Sequence, residues 1–445
     1  MRIALFAGTR PELIKTAAVI REAQRRSRIE LLFVHTSQHY DWELSQRFFD
    51  ELCLPKPVVF LNVKSGSQGV QTSRVICRAE AYLTKEKPDY VLVAGDTNSA
   101  LGAALASSKL HIPVGHIEAG CRSFDSTMPE ELNRTMITRC STVHFAPTPN
   151  TYLNLLREGT PPNSIHLTGH PLVKTIDDAK PSVDKSTILQ ELDLKPLEFA
   201  IMTLHRAENV DEKSRLKDIL EAAAHVSKKL VFAIHPRTNK RIRQFHLSGM
   251  LKDTLVISPV GYFDMLKLIK CSSYVLTDSG GVQQETALLG TPCLTLRNNT
   301  EWVETIQYGL NTLAGNTKTT ISKAIKKIEK QEEITRQNQT EAPLLFGDKK
   351  AANRILDILS SQSHHRNSEL ADQAVQGYPT LKLINVKKEV ASKKIAHYLP
   401  FINMIFDDDG FPLLPRNLKN LQKGCKILVY LPQARLGGLV SAVQD

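Results

Sequence analysis

Short apolar runs alternate with amphipathic segments along most of the chain, and the apolar runs end in polar residues. The run Ile3 to Ala7 is followed by Gly-Thr-Arg-Pro-Glu, and apolar residues then recur with helical spacing from Leu13 to Ile20. Continuous apolar runs are typical of strands buried in parallel sheets, and a period of 3.6 residues indicates a helix packed on such a sheet. The alternation of the two predicts an α/β fold with parallel, doubly wound sheets.

The repeating pattern falls into two halves. Strands are predicted in the first half at residues 3–7, 31–35, 90–94, 112–114, 143–145 and 165–167. Strands are predicted in the second half at residues 199–203, 230–234, 255–257, 274–276 and 293–296. The intervening segment 169–196 carries scattered prolines and charges, which favours a linker. Two Rossmann-like halves of this kind would face each other across a cleft, a common place for a small-molecule site.

The charge-rich stretch GHIEAGCRSFDSTMPEELNR, residues 115–134, follows one of the predicted strands. It places Glu118 and Glu130 on a loop and at the start of the next helix, and Asp96 ends the preceding strand in the same way. Ligands of open α/β sheets bind beyond the carboxyl ends of the strands, so these acids are candidates for a shared site. A solvated loop laced with ion pairs is the alternative interpretation of so many charges.

A second candidate motif is TDSGGVQQE, which follows the strand predicted at 274–276 and opens a helix. Ser279, Gly280 and Gly281 would leave backbone N–H groups available at the helix N-terminus, where the helix dipole favours a pyrophosphate. Glu285, one turn further on, could accept hydrogen bonds from ribose hydroxyls. The alternative is an ordinary N-cap followed by a glycine turn.

Histidine and basic side chains follow other strands. His205 and His235 both lie just after predicted strands of the second half, and Arg237 comes two residues after His235. A histidine can donate a hydrogen bond to a diphosphate or shuttle protons, although a single histidine is more often structural. Arg10 and Lys15 lie on the first loop and helix, where cations would stabilise a departing phosphate. Ordinary surface charge is the alternative, especially for Lys15.

The composition narrows these interpretations only slightly. A length of 445 residues predicts two or three domains, and the net charge of +11 suits anionic ligands, nucleic acid or simple solubility. An aromatic content of 6% does not suggest a stacking groove for nucleic acid. Seven scattered cysteines without a CxxC pair indicate neither a zinc site nor disulfides, and we expect no metal. The polar N-terminus and the lack of a long apolar run predict a cytoplasmic protein that does not bind membranes.

The motifs GTRPELIK, GDTNSALGAALA, GHIEAGCRSFDSTMPEELNR, LHRAEN, HPR and TDSGGVQQE, in this order, resemble those of non-hydrolysing UDP-N-acetylglucosamine 2-epimerases. The resemblance implies the glycosyltransferase-B architecture, with Rossmann-like domains at 1–170 and 171–341 and a helix at 342–360 that returns to the first domain. The extension at 361–445 is then either a small appended domain or a disordered tail. The resemblance also implies a homodimer that interconverts UDP-GlcNAc and UDP-ManNAc at C2 without a cofactor, through UDP elimination and a 2-acetamidoglucal intermediate.

The same resemblance assigns roles to the residues that match the family's motifs. It implies four catalytic residues, namely Asp96, Glu118, Glu130 and His205. It implies substrate contacts from Arg10, Lys15, His235, Arg237, Ser279, Gly280, Gly281 and Glu285. The choice of Glu130 over the neighbouring Glu131 rests on the motif alone, and the carboxylate that removes the C2 proton is left open.

The sequence departs from the family's usual pattern at several positions. His170 stands where Asn is usual, Val70 where Glu is usual, and Ser37 where Gly is usual. Trp302 and Val303 stand where many simple epimerases have Arg-Pro, and this pair resembles relatives that epimerise UDP-2,3-diacetamido-glucuronic acid, which is therefore the alternative substrate. A glycosyltransferase of the same fold and an inactive sugar-nucleotide sensor are further alternatives. Three clustered acids argue against the first, and the intact acids and histidine argue against the second.

Overall fold

The computed structural model describes residues 1–37, 42–330 and 345–365, and six short strands between residues 380 and 431. The strands of the first unit are β1 Arg2–Ala7, β2 Glu30–His35, β3 Val59–Phe60, β4 Tyr90–Ala94, β5 Val114–Ile117, β6 Val143–Ala146 and β7 Ile165–Leu167. Its helices are α1 Arg10–Gln24, α2 Trp42–Glu51, α3 Gln68–Glu86, α4 Asn98–Lys109, α5 Pro129–Cys140, α6 Pro149–Arg157 and α7 Leu172–Lys185. The strands form a parallel sheet in the order β3-β2-β1-β4-β5-β6-β7.

The second unit repeats this arrangement with a six-stranded parallel sheet. Its strands are β8 Phe199–Thr203, β9 Lys229–Ala233, β10 Thr254–Ile257, β11 Val275–Thr277, β12 Cys293–Thr295 and β13 Asn311–Leu313. The helices that follow α7 are α8 Ile188–Glu191, α9 Ala207–Val210, α10 Lys213–Ala223, α11 Pro236–Gln244, α12 Tyr262–Cys271, α13 Gly280–Leu289, α14 Val303–Gln307, α15 Lys318–Lys330 and α16 Ala351–His365. The strand order is β10-β9-β8-β11-β12-β13. The predicted architecture of two Rossmann-like units is confirmed.

The strand order reverses at an equivalent point in both sheets, between β1 and β4 in the first and between β8 and β11 in the second. At such a point the connections leave the sheet in opposite directions and open a crevice beyond the carboxyl ends of the strands. Gly8 directly follows β1, and Asp96 lies two residues beyond β4. His205 and Asp278 occupy the matching places after β8 and β11. The topology therefore brings the predicted motifs to the two crevices.

The segment 169–196, predicted to be a linker, does connect the two sheets, but it forms helices α7 and α8 where a break in the helical pattern was expected. Leu172, Ile176 and Val183 recur along α7 with helical spacing and are buried in one apolar cluster with α1 and α16. Pro181 lies inside the helix, where a proline costs about 3 kcal/mol. Burial of the apolar face outweighs this cost, because each large apolar side chain contributes about 1.5–3 kcal/mol.

The two units are joined through this cluster, which also contains Tyr262 and Leu266 of α12 and Ile355 of α16. Helix α16 lies against α1, where the Arg26 guanidinium is 2.6 Å from the carboxylate of Asp357. The last helix of the described globular part therefore packs on the first unit. The domain bounds taken from the family resemblance stay a prediction.

Strand β5 begins later than the segment 112–114 that the apolar pattern suggested. Pro113 has no N–H to donate to a strand ladder, although its carbonyl oxygen accepts a hydrogen bond from Val91 N at 2.9 Å. The strand therefore starts at Val114 and continues to Ile117. Glu118 becomes the first residue beyond the strand, and its φ of 70° turns the chain into the cleft-side loop.

A separate set of strands lies beyond α16. These strands are β14 Thr380–Asn385, β15 Val390–Ala391, β16 Ile402–Phe406, β17 Pro412–Leu413, β18 Asn420–Leu421 and β19 Lys426–Leu431. Four of them form an antiparallel sheet in the order β14-β19-β16-β17, and β15 pairs with β18. This sheet favours the appended domain over the disordered tail. No helix in the described part of the chain has the length and apolar character needed to cross a membrane.

Gly120 and Gly159 allow a matched test of the packing behind the loop that follows β5. Both have positive φ, 83° and 78°. A Cβ on Gly120 would lie 2.1 Å from the carbonyl oxygen of Thr151, whereas a Cβ on Gly159 would have nothing within 4 Å. We expect Gly159→Ala to lower the free energy of unfolding by about 1–2 kcal/mol. Gly120→Ala should lower it by about 2–5 kcal/mol, because the backbone of α6 must also move. Urea denaturation measures both, and equal losses would contradict the predicted clash.

Candidate functional site

A cleft of about 680 Å³ lies where the crevices of the two sheets meet. It is lined by every residue that the sequence assigned to the site, namely Arg10, Lys15, Asp96, Glu118, Glu130, His205, His235, Arg237, Ser279, Gly280, Gly281 and Glu285. The structure thus brings them together from both units, while their individual roles stay predictions. It also adds Arg134, Arg206, Glu301 and Trp302 to the lining, none of which the sequence assigned to the site.

The loop between β1 and α1 is built on the buried carboxylate of Glu12. This carboxylate accepts hydrogen bonds from the backbone N–H of Thr9 at 2.8 Å and from the hydroxyl of Thr97 at 2.5 Å. Burial raises the pKa of Glu12, although these donors act in the opposite direction. The fixed loop holds Arg10 in the cleft wall, with its guanidinium 4.3 Å from the ring centroid of Phe48.

Glu118 is buried between a lysine and a histidine. Lys15 Nζ lies 2.8 Å from Oε1 and 2.7 Å from Oε2 of Glu118, and His170 Nε2 lies 3.1 Å from Oε2. Burial alone would raise the pKa of Glu118, but Lys15 and His170 outweigh it and lower the pKa to about 2. Burial also disfavours the charge of Lys15, yet Glu118 and Asp96 raise its pKa. Lys15 is therefore a partner of a buried acid, not a surface charge.

Arg134 connects carboxylates from three different elements. Its Nη2 lies 2.5 Å from Asp96 Oδ2 and 2.7 Å from Glu301 Oε1, and its Nη1 lies 2.7 Å from Glu131 Oε2. Glu131 also accepts a hydrogen bond from the backbone N–H of Ser123 at 2.9 Å. Glu131 therefore braces the loop after β5, while Arg134 orients Asp96 at the edge of the cleft.

Glu301 is a buried carboxylate with three arginine partners, and the sequence analysis did not assign it to the site. Beyond Arg134, its carboxylate lies 2.9 Å from Arg297 Nη1 and 3.7 Å from Arg206 Nη2. Burial would raise the pKa of Glu301, but the three guanidiniums hold it below its usual range. Arg206 also lies 3.1 Å from Glu130. The motif LHRAEN contained Arg206, but its partners are distant in the sequence and nothing local indicated the pairing.

His205 is held by a buried aspartate. Its Nδ1 lies 3.0 Å from Oδ1 of Asp278, and Asp278 also accepts the backbone N–H of Arg206 at 2.9 Å. Burial alone would raise the pKa of Asp278, but His205 and the hydrogen bonds from Arg206 N–H and the Asn209 side chain lower it. A carboxylate at Nδ1 places the imidazole hydrogen there and leaves Nε2 as the acceptor. Asp278 lies inside the motif TDSGGVQQE, but the sequence had not given it this role.

His235 and Arg237 have structural partners as well as a place in the cleft lining. His235 Nδ1 accepts the backbone N–H of Arg237 at 3.2 Å and so caps α11. The guanidinium of Arg237 pairs with Asp211, which also contacts Arg241 at 2.9 Å. The prediction that these two residues contact a ligand is therefore supported by their position in the cleft lining.

The N-terminus of α13 opens into the cleft. Ser279 caps this helix, with its hydroxyl accepting the backbone N–H of Val282 at 3.4 Å. Gly280 and Gly281 begin the helix, and a Cβ on Gly281 would meet only Ser279 Oγ, at 3.9 Å. A helix start without side-chain bulk offers its backbone N–H groups and its dipole to an anion. This position is suited to a phosphate group.

Glu285 of α13 and Arg10 of the first unit line the cleft beside this helix start and attract each other electrostatically. Burial raises the pKa of Glu285 to about 7, while Arg10 and the Tyr262 hydroxyl act against the rise. Burial also lowers the pKa of Arg10, and Glu285 opposes that change. Glu285 is thus a carboxyl that changes its charge near neutral pH, unlike Glu118.

The cleft combines donors for an anion with acids held at defined positions. Oriented carboxylates and a histidine can move protons, and a helix start with a nearby arginine can stabilise a leaving phosphate. Among the residues that the structure describes, no three His, Cys, Asp or Glu side chains are grouped so as to hold a metal ion.

Comparisons with known proteins agree with this geometry. A family model for UDP-N-acetylglucosamine 2-epimerase matches residues 21–360. The UDP-N-acetylglucosamine 2-epimerase of Methanocaldococcus jannaschii is 42% identical over 370 residues, which cover 81% of this chain and 99% of that protein. The UDP-2,3-diacetamido-2,3-dideoxy-D-glucuronate 2-epimerase of Pseudomonas aeruginosa is 37% identical over 369 residues, with coverage of 81% and 99%.

A solved structure leads to the same family. The crystal structure of the M. jannaschii UDP-GlcNAc 2-epimerase in complex with UDP-GlcNAc and UDP matches with a TM-score of 0.75 at 41% identity, covering 81% of this chain and 100% of that chain. The family model ends at residue 360, so the strands between 380 and 431 lie beyond it. The chain belongs to the UDP-N-acetylglucosamine 2-epimerase family.

Proposed function

We propose that this protein interconverts UDP-GlcNAc and UDP-ManNAc by inverting the configuration at C2 of the sugar. The observation that carries the proposal is a single cleft in which Asp96, Glu118 and Glu130 of the first unit face the open N-terminus of α13 in the second. An enzyme that expels and re-adds a nucleoside diphosphate needs acids near the sugar and donors at the diphosphate. Its product would supply ManNAc-type sugars for cell-surface polysaccharide.

The two units divide the recognition of the substrate between them. The diphosphate binds at the start of α13, where Ser279 and the two following glycines leave room for it, and Arg10 approaches from the first unit. Glu285 accepts hydrogen bonds from the ribose hydroxyls. The acetamido sugar then lies among the carboxylates, and Lys15 contributes through its contact with Glu118.

The reaction occurs in two stages that conserve atoms and electrons. Removal of the C2 proton and cleavage of the bond from C1 to the UDP oxygen leave 2-acetamidoglucal with a double bond between C1 and C2. The proton then returns to the opposite face of C2 while UDP adds again to C1. Because substrate and product have the same oxidation state, the chemistry requires no redox cofactor.

The surroundings of the acids suggest different tasks. Lys15 and His170 keep Glu118 ionised, and a carboxylate of such low pKa is a weak base. Glu118 is suited to stabilise the positive charge that develops at C1 as UDP departs. Asp96 and Glu130, each held by a guanidinium, are then the acids that exchange protons at C2. His205, oriented by Asp278, supports the departing diphosphate in its imidazolium form, in which Nε2 also carries a hydrogen and donates it.

UDP-2,3-diacetamido-glucuronic acid is the second candidate substrate. Trp302 lines the cleft, with its indole nitrogen 3.5 Å from the place that a Cβ on Gly280 would occupy. The Trp-Val pair at 302 and 303 is the feature that resembles epimerases of that substrate. The relative from P. aeruginosa, with 37% identity, makes this alternative specific enough to test in parallel.

We also propose that the active form is a cytoplasmic homodimer, as the family resemblance implies. Sedimentation velocity of the purified full chain should give a mass near twice 49.7 kDa. A species of monomer mass that retains full specific activity would contradict the homodimer.

Solvent exchange tests the proposed reaction directly. Incubation of the protein with UDP-GlcNAc in D2O should produce UDP-ManNAc and place deuterium at C2 of both sugars, because the C2 proton leaves during each turnover. Proton NMR and mass spectrometry measure the exchange. A glycosyltransferase would give no exchange without an acceptor. If only the diacetamido-uronate incorporates deuterium, the second candidate replaces the first.

Asp96→Asn provides the control for this assay. The substitution keeps the shape of the side chain but removes its basicity, so exchange at C2 should fall by at least about 100-fold. Binding of UDP, measured by calorimetry, shows separately whether the substitution disturbs the nucleotide site, because Asp96 is linked through Arg134 to Glu301, whose carboxylate lies 3.8 Å from the place that a Cβ on Gly280 would occupy. Undiminished exchange in this variant would remove Asp96 from the catalytic set.

Binding of UDP-GlcNAc should strengthen as the pH rises from 6 to 8. Glu285 has a raised pKa of about 7 in the free protein, and only its ionised form offers both oxygens to the ribose hydroxyls. The ionised fraction rises roughly tenfold over this range, which predicts an increase in affinity of up to about tenfold. Calorimetry at a series of pH values measures the effect. Glu285→Gln should abolish it, and an unchanged pH dependence in that variant would assign the titration to another group.

A further inference from the structure

His170 is a fully buried histidine, at a position where the motif resemblance implies asparagine in the family. It follows Gly169, whose φ of 79° turns the chain sharply after β7. The backbone N–H of His170 donates to the carbonyl oxygen of Phe346 at 2.7 Å. The backbone position of this residue is therefore fixed before its side chain makes any contact.

The hydrogen bonds of the His170 ring define its tautomer. The backbone N–H of Leu172 donates to Nδ1 at 3.0 Å, so Nδ1 is an acceptor and carries no hydrogen. The hydrogen of the neutral ring is then on Nε2, which lies 3.1 Å from Oε2 of Glu118. Burial lowers the pKa of His170, although Glu118 acts against the change. The ring is thus a neutral donor aimed at one oxygen of Glu118.

Two aromatic rings hold this imidazole in place. Trp302 of the second unit lies edge to face with it at a centroid distance of 6.1 Å, and Phe346 does so at 6.4 Å. Trp302 and Phe346 also contact each other at 5.3 Å. Packing on two sides restricts the rotation of the ring. The direction of the N–H at Nε2 is therefore set by the fold.

We propose that His170 is a positioning residue, which holds Glu118 in the orientation that the epimerisation needs. The inference rests on the proposed function, because it gives Glu118 a part in that reaction. Other groups near this carboxylate have different effects. Lys15 supplies charge but contacts both oxygens of Glu118 and so does not distinguish them, Asp96 acts on Lys15, and the thiol of Cys121 is a buried neighbour. Direction comes from the imidazole.

Substitution of His170 by glutamine or phenylalanine tests the hydrogen-bond donor and the aromatic ring separately. His170→Gln keeps an N–H at the ε position and loses the ring, whereas His170→Phe keeps a ring and loses the donor. In the epimerisation assay we expect kcat of H170F to fall about 10- to 100-fold with KM within about threefold, because a hydrogen bond to a charged group is lost. H170Q should recover most of the loss. Asparagine ends one atom short of the ε position, so H170N should resemble H170F.

His166→Phe is the matched control. His166 lies on β7 with its ring 6.2 Å from that of Phe145, so this variant also replaces a largely buried imidazole by phenylalanine, but away from Glu118. Thermal unfolding and active-site titration with UDP correct each kcat for folded protein. A corrected kcat of H170F equal to that of the wild type, or an equal loss in H166F, would overturn the proposal.

The state of the Glu118 carboxyl gives a readout that does not need turnover. In full-length protein labelled with ¹³C-glutamate, the carboxyl signal assigned with Glu118→Gln should titrate at least about one pH unit higher in H170F than in the wild type. H170Q should restore most of the shift. An unshifted signal in H170F rejects the positioning role. Absence of epimerisation by the wild type with either sugar would instead reject the proposed function and leave this titration to decide the role of His170.

Discussion

Arg134 is the side chain on which the geometry of the cleft depends. Its guanidinium contacts Asp96 beyond β4, Glu131 on its own helix and Glu301 in the second unit. Removing one partner of a buried ion pair typically costs about 3–5 kcal/mol, because a charge is left without compensation. The three carboxylates and the elements that carry them are therefore fixed together. Asp96 keeps its orientation only while the two units keep their present approach, so the acid of one domain depends on a residue of the other.

Two buried carboxyl groups in the cleft differ in their ionisation because their partners differ. Glu118 has direct hydrogen bonds from Lys15 and His170, and its pKa falls to about 2. Glu285 has an equally buried carboxyl, but the attraction of Arg10 does not offset burial and the pKa rises to about 7. Direct charge-assisted hydrogen bonds account for the difference. One acid is thus a permanent charge near the proposed sugar position, and the other responds to pH near the proposed ribose position.

The positions of the site residues could be predicted from the sequence more readily than their partners. Asp96 and Ser279 follow continuous apolar runs, and parallel topology alone brings such strand ends to one edge of a sheet. The contact of Arg134 with Glu301 joins residues on separate units, and local patterns contain no information on that distance. The error over α7 has a similar cause, because the proline signal is local whereas the burial that outweighs it comes from α1 and α16. Local sequence patterns therefore predict where the site residues lie along the fold, whereas their contacts depend on tertiary packing.

Residues 170 and 302, where the motif resemblance implies departures from the family's pattern, are in contact. Trp302 packs its edge against the ring of His170, so each residue shapes the space available to the other. An arginine at 302 would place a charge beside a buried donor and remove the wall that orients the imidazole. An asparagine at 170 would leave a gap beside the indole, and a gap of that size is destabilising. Trp302 therefore does more than change the charge of the cleft, since it also supports the contact between His170 and Glu118.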